Sequence, residues 1–192
     1  ENARRTLLNR AVEAAVIENN HLSMLIEGLA YDRCQVGVVL NIDASTRFTE
    51  YAIYDEDQLF SIVRTQVDVV LPNGAAVLNA DDPLVAKMAE LCDGEVIFFS
   101  RNETAPLIED HLKQGGRAVL VRDQEIVLKT ARRGEQVLHL PKNPKSTPES
   151  AQWKSINLAA AIATAWALDI PFNIILAGTE TFYSASASQT EA

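Results

Sequence analysis

The run Val36-Gly37-Val38-Val39-Leu40, within a strand read over 36–42, is apolar at successive positions, not alternate ones. A strand with one solvated face would alternate with a period of two, so this segment asks for cover on both faces. Parallel strands sandwiched between helices meet that demand, and the rest of the chain fits the same scheme. Ala14-Ala15-Val16-Ile17-Glu18 reads as a short buried strand before it. Residues 67–71, residues 75–79 beyond the turn signal Pro72-Asn73-Gly74, and residues 95–99 read as strands after it.

Helical patterns separate these strands. Residues 2–10 read as the end of a helix, and Leu22, Leu25, Ile26 and Leu29 recur at helical spacing. Residues 43–54 are polar and aromatic, a loop, and residues 56–64 form the next helix. Asp82 is placed as an N-cap with Pro83 at the first helical position, opening a helix through Leu91. A helix over 107–113 stops at Gly115-Gly116. Three short strands, 118–121, 126–128 and 137–140, then suggest an antiparallel patch, followed by a Pro/Lys/Ser loop over 142–148. Alanine-rich residues 150–168 form the strongest helix, carrying Trp153 and Trp166 against the sheet, and Pro171 opens a last short one. The expectation is a three-layer α/β fold, a mostly parallel sheet with a small antiparallel flank, as one domain over 1–183 with a frayed tail over 184–192.

With 192 residues, 47% of them hydrophobic, the chain is long enough for one core. Its formal net charge of -9 argues against a nucleic-acid partner, since phosphate backbones reward clustered Lys and Arg. The pairs Arg4-Arg5 and Arg132-Arg133 are scattered and make no binding stripe. Two distant cysteines, Cys34 and Cys92, without companions at metal-ligand spacing, fit a reducing compartment and buried thiols. No apolar run is long enough to span a membrane, and no signal peptide is visible, so a cytoplasmic location is expected. The chain begins at Glu1 and opens directly into a helical pattern, which suggests a piece of something longer.

None of the eight glycines precedes a Lys-Ser or Lys-Thr pair, so no phosphate-cradling loop is recognisable. His21, His111 and His139 sit in unrelated contexts and read as surface or packing residues. No residue is singled out as catalytic.

Four runs carry a resemblance. Residues 27–42 (EGLAYDRCQVGVVLNI), 64–83 (RTQVDVVLPNGAAVLNADDP), 90–100 (ELCDGEVIFFS) and 157–168 (NLAAAIATAWAL) resemble the central, Mur-ligase-like region of cyanophycin synthetase, in the expected order. The resemblance implies a Mur-ligase central-domain fold. It implies a parent that is an ATP-dependent ligase, building a polymer of aspartate backbone and arginine side chains. In it an ATP-grasp domain adds aspartate and the Mur-like region adds arginine, each through an acyl phosphate attacked by an amine. ATP and Mg²⁺ are the implied cofactors, with the metal and basic groups neutralising the triphosphate. This stretch would begin after the phosphate loop and end before the C-terminal domain, so it would bind neither cofactor by itself. The implied partners are the rest of the ligase, namely the ATP-grasp and C-terminal domains, with self-association as a further option.

Departures from the family pattern weaken the implied site. Active relatives carry Glu-Thr-Ala-Arg-Gly-Gly where this chain has Glu18-Asn19-Asn20-His21-Leu22-Ser23. Their Asp-His pair, whose His is a metal ligand, matches Thr46-Arg47, although Asp43 remains nearby, and their carbamylated lysine matches Val63. A cation at a Mg²⁺ site repels the metal. Glu18 is the one candidate metal ligand kept, and it reads equally as a solvated relic. Asp82 reads first as a helix cap and second as a nucleotide contact. Asn157 matches the position that meets adenine in the family, or is a plain polar residue in an alanine-rich helix. Two functions follow: a piece of a working ligase site completed elsewhere, or a degenerate Mur-like domain that supports an active neighbour.

Overall fold

The computed structural model describes residues 2–43, 45–123, 125–131, 134–139 and 148–188. The arginine pair 132–133 and residues 142–147 of the loop expected over 142–148 lie outside these, as does the Trp153 side chain. In chain order the elements are α1 (Asn2–Leu8), α2 (His21–Glu27), β1 (Cys34–Val39), α3 (Glu56–Val63), α4 (Thr65–Asp68), β2 (Val70–Asn79) and α5 (Pro83–Lys87). They continue with β3 (Glu95–Ser100), α6 (Pro106–Lys113), β4 (Arg117–Arg122), β5 (Glu125–Thr130), β6 (Gly134–His139), α7 (Pro148–Ala167) and α8 (Phe172–Ser188). The six strands form one sheet in sequential order, parallel from β1 to β4 and antiparallel from β4 to β6.

Alternation along the strands divides the core into two layers. Ala76, Leu78, Phe98, Ala118 and Leu120 face one way and pack with Met24, Leu59, Val63, Val67, Val85 and Ile108 from the helices α2 to α6. Ala75, Val77, Ile97, Phe99 and Val119 face the other way, onto Ile156, Ala159, Ala160 and Ala163 of α7 and Ile175 of α8. The alanines let α7 lie close on the sheet. The three-layer α/β arrangement with an antiparallel flank is therefore the fold.

Three local expectations are corrected. Residues 14–18 form no strand, and Val16 is 100% exposed, because an isolated apolar pentapeptide gains strand geometry only by pairing. Residues 67–71 and 75–79 are not two strands around a turn. Val67 belongs to α4, and β2 runs unbroken through Pro72-Asn73-Gly74. The β1–β2 register shifts there, from Cys34↔Val70 to Val36↔Ala75, so extra residues of β2 bulge outward and Pro72 needs no ladder donor. A Cβ on Gly74 would stand 2.3 Å from the Gln35 carbonyl oxygen, which is why a glycine ends the bulge. The third correction concerns β1, which occupies an end of the sheet order where its composition suggested an interior strand. Its faces are nonetheless covered, with Val39 in one core layer and Val36 and Val38 against the other.

Other elements match their signals. Asp55 caps α3 through a reciprocal capping box with Gln58. Asp82 caps α5, with Pro83 in its first turn, and a 3-10 turn over Met88–Leu91 extends that helix. The last helix differs from the short one expected: α8 runs 17 residues, from Phe172 to Ser188. Among the described residues no helix is long and apolar enough to cross a membrane.

Candidate functional site

The carboxyl ends of β1, β2 and β3 lie side by side, the place where open α/β sheets present ligands. A cavity of about 300 Å³ opens there against α7. Leu40, Phe99 and Ile156 supply its apolar walls, and Asn41, Asn79, Asp81, Asp82, Arg101 and Asn157 its polar ones. Two of the three site residues expected from sequence, Asp82 and Asn157, therefore meet in one cavity although 75 positions separate them in the chain (157 − 82).

Most of the polar wall is occupied by its own scaffold. Asp82 Oδ1 accepts from the backbone N–H groups of Leu84 (3.0 Å) and Val85 (3.3 Å), while Oδ2 accepts from Ile42 N–H at 2.8 Å. Both oxygens are thus committed, one to the start of α5 and one to the exit of β1. Asn79 donates to the Leu40 carbonyl at 2.8 Å and accepts from Asp81 N–H at 3.0 Å. Asp81 accepts from the Ser100 hydroxyl at 2.5 Å and from Arg101, both its backbone N–H (3.0 Å) and its Nε (3.1 Å). Asn157, exposed on α7, is left with its carboxamide uncommitted among the described residues.

The expected metal ligands do not gather here. Glu18 is exposed in the irregular segment before α2 and is not part of the cavity wall. Its neighbour Asn19 is anchored instead, donating to the Tyr31 hydroxyl (3.0 Å) and to Gln66 Oε1 (3.3 Å). Asp43 folds its carboxylate onto its own loop, where the Ser45 hydroxyl, the Ser45 N–H and the Thr46 hydroxyl hold it below the usual carboxylate range. Arg47 Nη1 donates to the Thr46 carbonyl at 2.8 Å. Val63, which the resemblance sets against the family's lysine, is 1% exposed inside the core. Among the described residues no group of three His, Cys, Asp or Glu side chains could hold a metal ion.

No family model matches the chain. Cyanophycin synthetase from Synechocystis sp. is 34% identical over 184 residues, covering 96% of this chain and 21% of that protein. The cyanophycin synthetase of Crocosphaera subtropica matches equally, and that of Nostoc sp. is 31% identical over 190 residues, covering 99% of this chain. The chain is a homologue of cyanophycin synthetase. It spans about a fifth of the length of these curated relatives. Two crystal structures of MurF from Acinetobacter baumannii share its fold, with TM-scores of 0.52 and 0.51 at 21% and 20% identity. Each covers 76% of this chain and 28% of the MurF chain. The chain is therefore MurF-like in fold.

Sequence reasoning missed Arg101, Asp81, Asn79 and Asn41 as cavity residues. The adjacent acids Asp81-Asp82 were one signal, since consecutive carboxylates at a strand exit need separate partners. Nothing in the sequence around Arg101 marks it, because only the parallel pairing of β2 and β3 sets it beside Asp81.

Proposed function

We propose that this chain is part of an ATP-dependent amino-acid ligase of the cyanophycin synthetase kind, and that its Mur-like domain is degenerate and structural. The polymer would be built from aspartate and arginine by the parent, in the cytoplasm, with an ATP-grasp domain and a C-terminal domain as the covalent neighbours of this one. The observation that carries the reading is Val63. A lysine at that place would project into a packed apolar layer, and the burial of the valine there supports the degenerate reading. Asp43 and Asp82 point the same way, each holding a backbone turn with the oxygens a metal or nucleotide would need. The residues present do not fit Mg²⁺, so no phosphoryl-transfer step is assigned to them.

A second reading is favoured by one feature. The cavity with Asn157 on its wall persists at the strand ends, as a working ATP site completed by other segments would require. Calorimetric titration with Mg-ATP of the complete Mur-like region, this chain together with its neighbouring Mur-like segments, separates the two. The degenerate domain should show no binding tighter than about 10 μM, roughly 7 kcal/mol. Tighter binding, lost on chelating the metal, would restore the domain to catalysis.

A further inference from the structure

Four arginines form ion pairs with described residues, and they use their guanidinium groups differently. Arg64 gives Nε and Nη2 to the two oxygens of Asp68. Arg117 gives Nε and Nη2 to Glu95 and Nη1 to the Trp166 carbonyl. Arg122 gives Nε and Nη2 to Glu103, with Nη2 also reaching Glu135. Arg101 alone is held only by Nε, at 3.1 Å from Asp81 Oδ2, leaving both terminal nitrogens without a partner among the described residues. It is also the one of the four that lines the cavity at the strand ends.

The hold on Arg101 is firm at its base. Ser100, 0% exposed, donates to Asp81 Oδ1 and accepts from the Asn102 N–H at 2.8 Å. Asp81 itself is 16% exposed and takes both the backbone N–H and the Nε of Arg101. A side chain gripped at its backbone and at Nε loses little further rotamer freedom on binding, so its outer fork is pre-organised. That fork matches the two oxygens of a carboxylate or a phosphate. The other nearby carboxylate, Asp82, does not compete, because its oxygens face three backbone N–H groups.

We infer that Arg101 is the ligand-contacting anchor of an oxyanion site at the mouth of this cavity, with Asp81 as the residue that positions it. The ligand class is a small molecule carrying a phosphate or carboxylate and a body that fills the space between Phe99, Ile156 and Asn157. The site uses no divalent cation, so it stands whether or not the domain handles Mg-ATP. Failure of one reading leaves the other intact.

The test is titration of the chain, in excess chelator, with AMP, inorganic phosphate and succinate, following the Arg101 Nε–H resonance by NMR. At least one oxyanion should bind and shift that resonance. AMP or phosphate responding alone assigns a phosphate, and succinate responding alone assigns a carboxylate. Arg101→Gln, exposed enough to leave the fold intact, should weaken binding by at least about tenfold, the scale of a charge-assisted hydrogen bond. Arg101→Lys should recover part of the loss. Asp81→Asn should move the Arg101 resonance and weaken binding at matched thermal stability. The inference is overturned if no oxyanion binds more tightly than about 10 mM, or if Arg101→Gln binds as the parent chain does.

Discussion

Asp82 Oδ2 accepts the backbone N–H of Ile42 at 2.8 Å, joining the exit of β1 to the start of α5 across 40 positions of sequence. One carboxylate thereby closes two elements at once. Oδ1 satisfies orphan donors of a helix first turn, and Oδ2 satisfies a donor that the end of the strand leaves open. The pairing explains why a residue that resembles a nucleotide contact is first of all a part of the scaffold.

Removing that carboxylate should cost stability without any nucleotide present. Asp82→Ala loses a cap of about 1 kcal/mol and leaves the part-buried Ile42 N–H unpaired, about 1–3 kcal/mol more. Urea unfolding should show a lower midpoint at unchanged slope. Asp82→Asn, which keeps one acceptor, should fall between. An unchanged midpoint in the alanine variant would mean the bond contributes nothing.

Glu18→Ala in the full-length parent should leave polymer synthesis within about threefold, under 1 kcal/mol of barrier. The reason is its exposed position away from the cavity wall. A metal ligand would instead supply several kcal/mol, and its loss would reduce turnover by orders of magnitude. Turnover and melting temperature measured together decide the matter, and lost activity at unchanged stability would sink the structural reading.

Trp166 is only partly buried, with the Arg117 guanidinium 5.0 Å from its ring centroid. Arg117 is bound bidentately to Glu95 at 2.6–2.7 Å, so the tryptophan closes a clamp joining β3, β4 and the end of α7. Trp166→Ala should therefore cost about 2 kcal/mol, less than the 3–5 expected of a fully buried tryptophan. A double-mutant cycle of Trp166→Leu with Arg117→Gln should give a coupling of about 0.5–2 kcal/mol. Additive losses would remove the cation–π contact from the account.

His111 should make stability fall on acidification. Burial lowers its pKa below the ordinary 6.5, overcoming the carbonyls of Arg117 and Val96 and the charge of Glu95, which act to raise it. A folded value below the unfolded one means the unfolded chain binds the proton first. The contribution is complete above about pH 6.5, falls as the pH drops through that value, and is gone below the folded pKa. Melting temperatures across pH 7.5 to about pH 5 should decline more steeply in the parent chain than in His111→Phe, whose ring keeps the edge contact with Phe98. Parallel slopes would refute the assignment.

Much of this protein is determined by sequence alone, wherever the signal is local. The cap Asp82, the alanine-rich α7, the antiparallel flank and the two-sided apolar character of Val36–Val38–Val39 all depend on neighbours within a few positions. Tertiary structure decided the remainder, because those features depend on pairing between distant segments. Pro72-Asn73-Gly74 carries the composition of a turn, yet parallel pairing with β1 stretches it into a bulged strand over the Gln35 carbonyl. Residues 14–18 carry the composition of a strand, yet no described strand pairs with them and they stay irregular. Arg101 carries no signal at all, and becomes a cavity residue because β2 and β3 end at the same height, bringing Asp81 within hydrogen-bond reach of it.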